Sequence, residues 1–164
     1  MIEFHPYSKA DQLAGHKKKE KTKYNWKKPR KKKKKLATYK GRTIPKAKVR
    51  GEISKKEYNK AIDEFGAYCN ICGSPYIEMH HIKFRSQGGR GGYRNLIPLC
   101  NAHHRIAHRD REFSERLRFQ REKRFGEWFW ADRFDLFKAG LIPEPTNEQF
   151  ERFMQEQERM NKCE

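Results

Sequence analysis

No run in this chain approaches the roughly twenty consecutive apolar residues that cross a bilayer, and no apolar leader follows Met1. The expectation is a protein with no membrane span and no secretory signal, working in a reducing compartment. Acidic residues are almost missing from one region. Residues 17–50 hold 18 lysines and arginines against a single acid, Glu20. Residues 1–16 carry a net charge of −1 and residues 51–164 a net of +2, so the chain's +18 belongs to one block. Such a block attracts polyanions through counterion release, nucleic acid foremost. Tyr24, Trp26 and Tyr39 interleave it as candidates to stack on bases. The lysine run also reads as a nuclear localisation signal.

Apolar residues are scarce as well. With 35% hydrophobic and 37% charged residues, the composition predicts a compact centre with solvated extensions. Residues 1–50, interrupted by Pro6, Pro29 and Pro45 and lacking sustained periodicity, read as a basic, disordered, nucleic-acid-binding tail. A domain over 51–112 and a helical extension over 113–164 follow. Ser54 and Glu57 form a capping-box pattern that opens a helix. Tyr58, Ala61, Ile62 and Phe65 recur on one of its faces, and Gly66 closes it. Residues 75–83 predict a strand, 86–92 a glycine-rich loop, 94–99 a return strand and 101–111 a short helix. The glycines of that loop suit either close approach of a DNA backbone or a flexible hairpin connection. The aromatics from Phe113 to Phe137 recur at helical intervals, with a break near Gly126. Thr146 and Gln149 predict a cap for a last, acidic helix that packs loosely or frays.

Cysteine is limited to four residues, of which Cys163 stands alone. The others form Cys69-x2-Cys72 and, with a histidine, Cys100-x2-His103. Two close pairs of soft ligands are what a closed tetrahedral zinc site needs, and Cys100 and His103 share a face at the start of a helix. A redox-active Cys-x-x-Cys is the simpler alternative, but it does not need a matched pair downstream.

If zinc takes His103, then His80, His81, His104 and His108 are left over. His104 and His108 are spaced i and i+4 on a helix, as two-point metal chelation requires, and His103 points about 100° away from His104. A single such histidine is more often a packing residue; four in this order are a constellation.

The stretch from Tyr68 to His108, with its His80–His81 pair, Asn95, His104, and the Cys69, Cys72 and Cys100 knuckles, resembles the HNH nuclease family. That resemblance implies an α+β fold built on a small ββα-metal unit with structural Zn²⁺. It implies a metal-dependent endonuclease acting on DNA. His81 would be the general base, and Asn95 would tie the hairpin and help orient it. His80, His104 and His108 would hold a catalytic divalent metal, Mg²⁺, Mn²⁺ or another transition ion. His80 stands where the family often has aspartate, and His103 where it often has cysteine; an all-imidazole set suits transition metals better than Mg²⁺. Arg85, Arg90, Arg94, Arg105 and Arg109 are expected to grip phosphates flanking the site. Small basic members resemble those of bacteria and phages, which implies the cytoplasm of a bacterial or phage-infected cell. Adjacent strand residues face opposite ways, so His80 and His81 share one site only if the strand twists or ends there. A zinc module that binds nucleic acid or protein without cutting is the alternative. It needs nothing at the four spare histidines.

Overall fold

A computed structural model describes residues 37–162. The expectations for residues 1–36, including Tyr24 and Trp26, and for Cys163 lie outside the described residues. The fold is α+β. In chain order it comprises β1 (Thr38–Tyr39), β2 (Arg42–Thr43), α1 (Ala47–Arg50), α2 (Lys55–Phe65), β3 (Glu78–His81), β4 (Leu96–Leu99), α3 (Asn101–Arg109), α4 (Arg111–Phe125), α5 (Arg133–Lys138) and α6 (Asn147–Lys162). Short 3₁₀ turns at Arg85–Gln87 and Tyr93–Asn95 shape the loop between β3 and β4. No helix among the described residues is long and apolar enough to cross a membrane.

The local signals act as expected at several ends. The Ser54 hydroxyl accepts the Glu57 N–H at 3.2 Å. The Glu57 carboxylate, however, does not complete the box. It accepts the Tyr93 N–H at 2.9 Å and so fastens α2 to the β3–β4 loop. Gly66 ends α2 at φ +86°, and Gly126 ends α4 at φ +82°, conformations that favour a residue without Cβ. β3 and β4 pair antiparallel in the register Glu78↔Leu99, Met79↔Pro98, His80↔Ile97, His81↔Leu96. Helices cover this ribbon, and Ile82, Leu96, Leu99, Leu117, Phe125, Leu136 and Met154 form the buried core. An isolated two-stranded ribbon is marginal in water, so those helices are what make it a domain.

Three expectations change. First, residues 37–50 are not tail. Tyr39, a candidate for base stacking, packs edge-on against Phe137 with ring centroids 4.9 Å apart. Arg50 Nη1 reaches Asp132 Oδ1 at 2.7 Å. Second, the acidic helix α6 does not lie loose. Its Met154 is fully buried, and its Glu151 and Glu158 receive Arg94 at 2.9 and 2.8 Å. Third, Arg94 and Arg90 are therefore not free to hold phosphates. Arg94 is 5% exposed and Arg90 8%, the latter forked onto Asp135 at 2.6 and 2.8 Å. Their charge is spent inside the protein, because a buried guanidinium must be paired.

The glycine-rich loop makes its close approaches to the protein's own main chain. A Cβ on Gly89 would lie 1.9 Å from the Lys83 carbonyl oxygen, and one on Gly91 would lie 2.1 Å from that of Glu52. Gly89→Ala is expected to cost about 1–3 kcal/mol through overpacking, read as a lowered midpoint in thermal or urea unfolding. Gly88→Ala, with φ +89° but open space around it, should cost less.

Candidate metal centre and active site

The first ligand pair sits on the tight turn after α2. The Cys69 N–H donates to the Ser74 carbonyl and the Gly73 N–H to that of Cys69, both at 2.8 Å. Gly73 supplies the φ of +73° that the knuckle needs. Cys100 is the N-cap of α3, and His103 follows in its first turn. The four side chains converge. Cys72 Sγ is 3.7 Å from Cys100 Sγ, while His103 Nδ1 is 3.6 Å from Cys69 Sγ and 3.2 Å from Cys100 Sγ. Zinc with bonds of about 2.3 Å to sulfur and about 2.0–2.1 Å to nitrogen gives tetrahedron edges of roughly 3.5–3.8 Å, so the arrangement fits zinc. Burial pushes the Cys69 thiol up, but N–H groups of Cys100, Ile71 and Cys72 outweigh it and bring the pKa down to about 6. That favours the thiolate a metal requires.

The second group lies on another side of α3. His80, on β3, meets His104 and His108, one turn apart on α3, and their ring nitrogens lie within 4.8 Å of one another. All three ring-to-ring distances are 4.9 Å, with planes crossed at 74–85°. His80 is 2% exposed, and its Nε2 is buried with no hydrogen-bond partner. An orphaned imidazole nitrogen facing two other imidazoles is what a divalent cation would satisfy. Burial first, then the neighbouring His104, His108 and His81, hold His80 down at a pKa of about 3. It is therefore neutral and able to ligate at any working pH. His104 Nδ1 is 2.7 Å from Glu78 Oε2, leaving His104 Nε2 to face the group. Phe84 stacks on the His108 ring at 5.2 Å. Beside His108 opens a groove of about 330 Å³ that Arg109 and Arg118 also line.

The structure divides the histidine pair. β3 ends at His81, and this ring stands outside the three-imidazole group. It reaches back across the chain, with Nε2 3.0 Å from the Gly51 carbonyl oxygen. Burial lowers its pKa, the Gly51 carbonyl opposes that, and the Arg85 cation adds to it. Asn95 is fully buried and all of its amide is used. Its Oδ1 accepts the Lys83 N–H at 2.8 Å, and its Nδ2 donates to the carbonyls of Lys83 and Arg90 at 3.1 and 2.8 Å. These bonds join Lys83 to Arg90 across the loop, and the His81 ring itself is held by Gly51.

Of the five expected phosphate contacts, Arg85, Arg105 and Arg109 are exposed. Three residues escaped the sequence reading. Glu78 had a usable signal, since it is two residues before His80 on a strand and so shares its face. Gly51 and Phe84 had none, because their roles depend on how distant segments pack.

Residues 69–110 match the family model described as HNH endonuclease. No curated protein matches the chain.

Cys69→Ser is expected to lose zinc by metal analysis and to lose helical signal and the cooperative melt by circular dichroism. Glu78→Gln should leave that zinc in place. Without its carboxylate partner, the His104 group should bind Co²⁺ or Ni²⁺ about 10–100-fold more weakly in a spectroscopic titration.

Proposed function

We propose that the protein, whose residues 69–110 match the family model of HNH endonucleases, is a metal-dependent endonuclease that hydrolyses DNA phosphodiester bonds by nicking or cutting. The observation that carries this is the group of buried His80, half-buried His104 and exposed His108, separate from the Cys₃His cluster, with His81 next to His80 in the chain. A zinc module that only binds has no use for a neutral, unpartnered imidazole in its interior.

His80, His104 and His108 would hold the divalent cation. When bound, it supplies positive charge against the negative charge that develops on the phosphate and the leaving 3′ oxygen. Three imidazoles favour Mn²⁺, Co²⁺ or Ni²⁺, while Mg²⁺ would rely on water and phosphate oxygens for most of its shell. His81 is the base. Its Nε2–H donates to the Gly51 carbonyl, which leaves the Nδ1 lone pair to take a proton from water. The resulting hydroxide attacks phosphorus in line. The P–O3′ bond breaks, giving a 5′-phosphate, and the 3′ oxygen collects a proton from solvent. Asn95 keeps the Lys83–Arg90 loop closed beneath the site. Exposed Arg85, Arg105 and Arg109 hold flanking phosphates, and the basic residues of 17–36 add affinity without reading sequence.

Wild-type protein should nick supercoiled plasmid in at least one of Mg²⁺, Mn²⁺, Co²⁺ and Ni²⁺. His81→Ala should lose about 10²–10⁴-fold in rate while shifting DNA in a gel as wild type does. Silence in every metal, or a His81→Ala variant that cuts normally, refutes the assignment. Because the His81 pKa lies below its usual 6.5, its free base persists below that pH. The acid limb of the rate profile should therefore fall under pH 6.5. Deleting residues 1–36 should weaken DNA binding and flatten its salt dependence, leaving the single-turnover rate at saturation unchanged. An unaltered salt slope would remove the block from the phosphates.

A further inference from the structure

We propose that the ion cluster of Arg50, Arg90, Asp132 and Asp135 is the positioning device for His81, acting through the Gly51 carbonyl. The C-terminal extension beyond the HNH match thereby sets the orientation of the base. This rests on the reading of His81 given above.

Among the described residues, the His81 ring takes its orientation from the 3.0 Å hydrogen bond of its Nε2 to the Gly51 carbonyl oxygen. Gly51 lies 30 residues upstream, outside residues 69–110. It follows α1, a helix of four residues with no side-chain cap at its N-terminus. One turn cannot hold itself in place, since nucleating a helix is unfavourable. The position of Gly51 must come from what α1 is fastened to, and the fastening is Arg50. Its Nη1 meets Asp132 Oδ1 and Oδ2 at 2.7 and 2.9 Å and Asp135 Oδ1 at 3.2 Å. Arg90 forks onto the same Asp135 from the β3–β4 loop. The two arginines and two aspartates thus balance in charge.

Main-chain bonds close the circuit. The Gly91 N–H donates to the Arg50 carbonyl and the Arg90 N–H to that of Trp130, both at 3.0 Å. Gly51 has no slack: a Cβ there would lie 3.3 Å from the Gly89 carbonyl oxygen. Asp132 and Asp135 are themselves fixed as the capping box of α5. Side chains of Arg50 and Arg90 are 14% and 9% exposed, so these contacts are sheltered from water and directional. The Lys40–Glu144 bond of the same segment is exposed, and Tyr39 adds an edge-on contact with Phe137 on α5.

The test uses the full, zinc-loaded chain. Arg50→Met keeps an unbranched stem and removes the fork, including the guanidinium that lies over the Phe134 ring. It should lower kcat on plasmid by tenfold or more, because a small displacement of a catalytic group costs about that much or greater, with KM within twofold of wild type. Long-range ¹H–¹⁵N spectra of His81 should show one Nε2–H tautomer in wild type and a mixture in Arg50→Met. Arg50→Lys, which keeps the charge but not the planar fork, should fall between. Glu158→Gln, which breaks the Arg94 pair elsewhere, should lower the melting midpoint and leave both kcat and the His81 spectrum alone. If Arg50→Met loses zinc, Asp132→Asn, which preserves the cap, carries the same readouts. A zinc-loaded variant with wild-type kcat and an unchanged tautomer would reduce the cluster to a structural role. Should wild type cleave nothing, the endonuclease reading falls, while the His81 spectra still decide whether the cluster positions the ring.

Discussion

Two stretches of chain, the knuckle after α2 and the start of α3, meet at Cys69, Cys72, Cys100 and His103. That meeting sets the direction of α3 relative to the β3–β4 ribbon, because two of the four ligands are on the cap and first turn of the helix and the other two are on the knuckle before β3. A structural zinc ion contributes apparent binding free energies of about 10–16 kcal/mol, while a domain's whole net stability is about 5–15 kcal/mol. Ligation on this scale would outweigh any single packing contact. The second site depends on it geometrically. Once His103 is turned toward the cysteines, the 3.6-residue period carries His104 and His108 to the side where His80 waits.

Local rules are broken where chemistry is expected. Leaving a buried polar group unpaired costs about 1–3 kcal/mol. Arg50 and Arg121 each have one buried nitrogen without a partner, but other nitrogens of the same guanidinium are bonded. His80 has no such compensation: its Nε2 looks toward two other imidazoles. The rest of the interior polar chemistry is settled. Arg90, Arg94 and Asn95 all have their partners, and their role is to brace the loop and the C-terminal helices around the site.

The arginines show how far a sequence can be read. Arg85, Arg90, Arg94, Arg105 and Arg109 look alike in a list, all close to the histidines. Three point outward, and two are consumed by Asp135 on α5 and by Glu151 and Glu158 on α6. The acids lie 45 to 64 residues away, too far for any periodicity to connect them. The glycine-rich loop teaches the same lesson. Close approach to a backbone was one of its two readings, and the backbone it approaches belongs to Lys83 and Glu52.

What the sequence alone determined was everything whose geometry is local. Ligands three apart on one helical turn, histidines four apart on one face, a Ser54 cap and the glycines that end helices all lie within a few residues of their partners. Backbone stereochemistry dictates such placements before any tertiary contact forms. The order β3, loop, β4, α3 and the Cys₃His spacing were therefore legible, as was His104 beside His108, while His80 joined that pair through the resemblance to HNH nucleases. Only the tertiary structure decided which arginines remain outside, that residues 37–50 belong to the folded body, and that the Gly51 carbonyl holds His81. Each of these is a pairing between segments tens of residues apart, chosen by burial and charge compensation in the assembled chain.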